Sequence, residues 1–188
     1  MEELFRFKVV VAGPFGVGKT AFIECISGVP TVGSEVSTSG EESRSKKTTT
    51  VGIEYGTFTL IDADLKIELV LIGTPGQDRF SAVREVAAIG ADGIVLLVNA
   101  TDPATWPTAR SIYQSFRTSC DLPVVVVANR CSLAHLEPLD FRPALGLRDE
   151  VVVLHGDVVD PDDSRRFLIE LLSQILDAET QNVGEMMQ

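Results

Sequence analysis

The run Gly13-Pro14-Phe15-Gly16-Val17-Gly18-Lys19-Thr20 constrains this chain more than any other. It matches G-x-x-x-x-G-K-[S/T], and its surroundings are those the pattern requires. Phe5 to Ala12 before it is β-branched and almost wholly apolar toward its end, which reads as a strand. Lys19 to Ser27 after it reads as a helix. Glycines in such a turn let successive backbone N–H groups point inward around an anion, and the helix N-terminus adds the positive end of its dipole. Gly13, Phe15, Gly16, Val17, Gly18, Lys19, Thr20 and Ala21 are therefore the candidate phosphate-binding residues. Lys19 supplies a cation for the β- and γ-phosphates, and Thr20 a hydroxyl for Mg²⁺. The plain alternative is a βα turn that binds nothing. The strand before it and the helix after it argue against that.

The rest of the chain alternates short apolar runs with helical patterns, the signature of an α/β sheet. Gly93 to Val98 and Pro123 to Ala128 read as strands buried on both faces, with a helix from Pro103 to Phe116 between them. Val151 to Leu154 is a further short strand. Val51, Ile53 and Tyr55 alternate with Gly52, Glu54 and Gly56, giving a half-exposed strand. Asp62-Ala63-Asp64 joins it to the run Leu65 to Ile72 as a hairpin. In the last helix Phe167, Leu168, Leu171, Leu172, Ile175 and Leu176 share one face. Val29 to Thr50 is polar and without period, a loop of a length that is usually functional or mobile. Residues 1–178 read as one domain and 179–188 as a frayed tail.

Composition excludes several classes. A net charge of −11 makes the chain a poor ligand for nucleic acid or anionic membranes. No apolar stretch is long enough to span a bilayer, and neither a signal peptide nor a lipidation signal is expected. Cys25, Cys120 and Cys131 form no CxxC pair and read as free thiols in a reducing cytoplasm. Any membrane association would come through a partner. His135 and His155 have no metal-ligand spacing with the cysteines.

Three further segments follow the phosphate loop in a telling order. Thr50-Val51-Gly52-Ile53 closes the long polar loop, Gly73-Thr74-Pro75-Gly76-Gln77 ends a strand, and Asn129-Arg130-Cys131-Ser132 ends another. Together they resemble the motif set of small Ras/Arf-type GTPases over essentially the whole chain. More narrowly, the G-P-F-G-V-G-K-T, T-T-T-V-G-I-E-Y-G and G-T-P-G-Q-D-R-F runs are similar to bacterial gliding-motility (MglA-like) GTPases and to actinobacterial conservon GTP-binding proteins. That resemblance implies a doubly wound, mostly parallel six-stranded sheet with one antiparallel edge strand and helices on both faces. It implies GTP/GDP and Mg²⁺ as cofactors. It implies a Roadblock-type protein, a sensor-kinase-like protein and GTPase-activating or exchange factors as partners. By position, Gln77 would orient the attacking water, Gly76 would donate its N–H to the γ-phosphate, and Thr50 would join Thr20 on the metal. Thr48 and Thr49 stay open as alternatives to Thr50. Lys19, Thr50 and Gln77 form the implied catalytic set, acting by charge and positioning. Asn129, Arg130 and Ser132, with Asp157 after the last strand, are the candidate base-binding residues.

The chain also departs from that pattern. Gly73 stands where most such GTPases carry a metal-orienting aspartate, so weaker metal binding is expected. Ser132 replaces the guanine-reading aspartate, and losing hydrogen bonds to a charged group would lower base preference by roughly tenfold or more. Phe15 stands where many relatives have glycine and crowds the γ-phosphate. Hydrolysis is expected to be slow, on the order of 10⁻⁴–10⁻² s⁻¹. Arg44 and Arg79 are the candidate internal arginines; both read rather as ordinary surface residues. The function expected is a GTP-dependent switch signalling through loops 29–50 and 74–86. The alternatives are a pseudo-GTPase acting as an interaction module, and a P-loop protein with relaxed base choice that uses ATP.

Overall fold

The computed structural model describes residues 3–29, 35–37, 48–50, 53–62, 65–76, 81–131 and 141–186, with 3, 35–37, 48–50, 62, 81 and 182–186 as backbone only. In chain order the elements are β1 (Glu3–Ala12), α1 (Lys19–Ser27), β2 (Glu35–Ser37), β3 (Thr48–Thr50), β4 (Glu54–Asp62), β5 (Leu65–Gly73) and α2 (Ser81–Ala88). Then follow β6 (Gly93–Asn99), a 3₁₀ turn (Pro103–Thr105), α3 (Trp106–Ser119), β7 (Val124–Asn129), α4 (Arg142–Leu145), β8 (Val152–Gly156) and α5 (Pro161–Met186).

Six strands form one sheet in the order β4-β5-β1-β6-β7-β8. Every pairing is parallel except β4 with β5, an antiparallel hairpin in which Asp62 faces Leu65. The chain leaves β1 toward one edge and later returns to its other side, so helices cover both faces. Strand alternation divides the core accordingly. Val9, Val11, Val95, Leu97, Val125 and Val127 pack with Phe22 and Ile23 of α1 and with Phe167, Leu168 and Leu171 of α5. Their neighbours Val10, Ala12, Ile94, Leu96, Val126 and Ala128 pack with Ala109, Ile112, Tyr113 and Phe116 of α3. Burial on both faces is why these strands read as unbroken apolar runs.

Several expectations are corrected. Within the 29–50 loop, β2 and β3 pair antiparallel, Glu35 with Thr50 and Ser37 with Thr48. The threonine run has the β propensity for it, and a partner strand supplies the ladder. The helix expected from Pro103 divides into a 3₁₀ turn, capped by the Asp102 side chain accepting from Ala104 N–H at 3.2 Å, and α3 proper. The last helix, α5, runs through Met186. Leu176, placed on the apolar face, is exposed, while Phe167, Leu168, Leu171, Leu172 and Ile175 are buried.

Candidate functional site

The site lies at the carboxyl ends of β1, β5, β7 and β8, where an open α/β sheet leaves a crevice. Gly13 ends β1 at φ 146°, and a Cβ there would stand 2.5 Å from the Leu97 carbonyl oxygen. Gly18 has φ 110° immediately before α1, and its carbonyl accepts from Phe22 N–H at 2.9 Å to start the helix. Only glycine takes these conformations without strain. The Lys19 ammonium curls back into the loop and donates to the Gly13 and Pro14 carbonyls at 2.9 and 2.8 Å. Its charge therefore stands where a phosphate cradle needs it.

Residues 74–76 close over this loop. Thr74 N–H donates to the Val11 carbonyl at 3.0 Å, and Arg84 of α2 donates to the Pro75 carbonyl at 3.4 Å. Gly76 lies so near that a Cβ would come within 2.5 Å of Phe15 N and 2.8 Å of Lys19 Nζ. Gln77 lies outside the described residues, as do Ser132, Arg44, Arg79 and His135. Thr50 is described as backbone only, in β3.

Sequence reasoning missed Glu54. Its strand alternates, but with the faces opposite to the apolar-inward reading. Ile53 and Tyr55 are 42% and 51% exposed, whereas Glu54 is 3% exposed. The Thr20 hydroxyl donates to Glu54 Oε1. Glu54 pairs with Gly73 across the β4–β5 ladder, and a Cβ on Gly73 would stand 2.8 Å from Glu54 Oε2 and 2.7 Å from Ile23 Cδ1. The missing side chain at Gly73 is what admits the glutamate. Two glycines, Gly56 and Gly73, on the facing strands were the available signal.

A second region sits beside the phosphate loop. A cavity of about 290 Å³ is lined by Gly18, Ala21, Asn129, Arg130, Asp157, Val158 and Val159. Asn129, buried at the end of β7, is a brace as well as a lining residue. It donates to the Val17 carbonyl at 2.8 Å and accepts from Val158 N–H at 3.0 Å and its neighbour Arg130 N–H at 2.8 Å. Arg130 adopts φ 67° and donates to the Gly16 carbonyl at 2.9 Å. Asp157 is held by its backbone N–H, which donates to Asp163 Oδ2 at 2.9 Å. The structure thus brings Asn129, Arg130 and Asp157 to one cavity. The Cys131 thiol donates to the Ala128 carbonyl at 3.0 Å, and burial pushes its pKa up, with the Asp157 and Asp163 carboxylates adding to the rise.

A profile of the Ras family matches residues 8–158. The chain belongs to the Ras family. It is 25% identical over 175 residues to the Ras-related protein RABA1a of Arabidopsis thaliana, covering 91% of this chain and 76% of that protein. It is 26% identical to Ras-related protein Rab11D of Lotus japonicus, covering 91% and 75%, and 28% identical to RABA2a of Arabidopsis thaliana, covering 74% and 60%. Ras-family GTPases bind GTP or GDP with Mg²⁺ and interact with regulators and effectors. The residues present fit that ligand set. The glycine loop and Lys19 suit phosphates, the neighbouring cavity suits a base, and Thr20 with Glu54 offers oxygen donors to a hard cation. Among the described residues no cluster of three His, Cys, Asp or Glu side chains could hold a metal by itself, so a cation here would need phosphate and water ligands. No helix among them is long and apolar enough to cross a membrane.

Proposed function

We propose that this Ras-family GTPase is a guanine-nucleotide switch that hydrolyses GTP slowly. The observation that carries the reading is the cavity joining Asn129, Arg130 and Asp157 directly behind the phosphate loop. A purine entering it would place its polar edge near Asp157, whose carboxyl offers the acceptor that Ser132 cannot supply for guanine N1–H and the 2-amino group. Arg130 would stack its guanidinium on the base, and Asn129 would hold the cavity floor to the loop. Gly13 to Ala21 would bind the phosphates, with Lys19 neutralising them and Thr20 and Thr50 on Mg²⁺. Gln77 would orient the water. The cation would offset developing charge on the phosphates.

Gly76 supports the switch reading. It touches the phosphate loop at the site where a γ-phosphate would arrive, so loops 29–50 and 74–86 would sense that group. Their GTP-state surface would bind partners. The narrower likeness of three sequence runs to gliding-motility and conservon GTPases nominates a Roadblock-type protein and a sensor-kinase-like protein, with an activating or exchange factor. The relatives named above are plant Ras-related proteins, so this nomination rests on those runs alone. A single domain over 1–178 in the cytoplasm, recruited to membranes through a partner, completes the proposal.

Displacement of a fluorescent GDP analogue by GDP, GTP, ADP and ATP tests it. Displacement by guanine nucleotides alone is expected, reduced by Asp157→Ala. Equal displacement by adenine nucleotides would replace GTP with ATP in this reading. Failure of the analogue to bind would leave only an interaction module.

A further inference from the structure

The geometry points to Glu54 as the carboxyl group that secures the divalent cation here, a role that rests on the nucleotide-binding reading above and that Gly73 cannot fill. The Thr20 hydroxyl donates its hydrogen to Glu54 Oε1. A hydroxyl so engaged turns its lone pairs away from the carboxyl, and the acceptor makes it a better donor to a metal. Glu54 Oε2 stands 2.8 Å from the point where a Gly73 side chain would begin. The glutamate reaches in from β4 and occupies the volume at the end of β5 from which an aspartate at 73 would act.

The carboxyl is also buried. Glu54 is 3% exposed and lies on the same hypothetical Gly73 Cβ as the Ile23 δ-methyl group. Mg²⁺ takes oxygen ligands and is ordinarily held by one or two carboxylates plus substrate phosphates and retained waters. Thr20, Glu54 and the phosphate loop assemble that donor set. The weaker metal binding expected from Gly73 is replaced by a carboxyl relocated to the neighbouring strand.

The test follows release of a fluorescent GDP analogue from the full chain as free Mg²⁺ is varied, with EDTA as the zero point. Wild type should release the analogue far more slowly in Mg²⁺. Glu54→Gln keeps an acceptor for Thr20 and the side-chain volume. It should raise the Mg²⁺ concentration needed by roughly 10–100-fold while release in EDTA stays near wild type. Glu54→Ala with Gly73→Asp, which returns a carboxyl from β5, should recover the Mg²⁺ response. A folded Glu54→Gln protein with wild-type Mg²⁺ dependence would overturn the assignment. Where Glu54→Gln does not fold, Glu54→Ala alone decides: folded with a wild-type Mg²⁺ response, it overturns the assignment as well. Wild type that releases the analogue equally in Mg²⁺ and EDTA removes the metal site and leaves nucleotide binding standing. Wild type that binds no analogue under either condition removes the nucleotide reading and this role together.

Discussion

Asn129 and Val17 are 112 positions apart in the chain, yet the Asn129 side chain donates to the Val17 carbonyl at 2.8 Å. The same amide accepts from the Val158 backbone N–H at 3.0 Å. One buried side chain thus couples the phosphate loop, the end of β7 and the turn after β8.

Asn129→Ala should therefore weaken both fold and site. It leaves a carbonyl and two N–H groups without their partner at a position 3% exposed. Each such group costs about 1–3 kcal/mol and the terms overlap, so a total loss of about 2–4 kcal/mol is expected in urea unfolding. Release of bound GDP analogue should quicken in parallel. Asn129→Asp keeps the acceptors but turns an oxygen on the Val17 carbonyl, so it should not restore stability.

Lys19→Ala separates binding from folding. The ammonium is half-buried and bonded to two loop carbonyls, Gly13 and Pro14. Stability should change by less than about 1 kcal/mol, because an open loop lets water take those partners. Nucleotide affinity should fall at least ~100-fold, about 2.7 kcal/mol, as the charge facing the phosphates is lost. Calorimetric titration beside a thermal melt reads both.

Gly73→Ala tests the exchange of space between β4 and β5. The new Cβ would stand 2.7 Å from Ile23 Cδ1 and 2.8 Å from Glu54 Oε2, so both side-chain ends must shift. Overpacking of this kind costs about 1–3 kcal/mol. Adding Glu54→Ala should relieve part of it, so the two substitutions measured together should be clearly non-additive.

The Cys120 and Cys131 thiols should react slowly with a disulfide reagent at pH 8. Burial raises both pKa values above the ordinary 9.0. A raised thiol pKa means less thiolate at a given pH, and thiolate is the nucleophile. Their rates should climb only as pH passes 9, whereas unfolding in urea should speed them at pH 8. Fast reaction of both in the native protein would contradict the burial argument.

Much of this was legible in one dimension. The tight turn between β1 and α1 was readable because its glycines impose their backbone geometry locally, at Gly13 and Gly18. The parallel strands were readable because burial on both faces leaves no polar register, as at 93–98 and 123–128. The α5 face was readable through period 3.6 from Phe167 to Ile175, and failed at Leu176, where neighbouring elements no longer cover the helix. Glu54 was not legible. Alternation gives two faces but not which one is covered, and here α1 lies over the polar register of β4.

The local order of residues determined the loop, the strands, the helices and the family's motif positions. Each depends on neighbours within a few residues, and propensity and periodicity act at that range. Tertiary structure alone decided that Glu54 meets Thr20, that Gly73 makes room for it, and that Asn129 braces Val17 against Val158. Those contacts join distant segments. Their partners are chosen by sheet order and by which helix packs on which face, and no short-range pattern carries that choice.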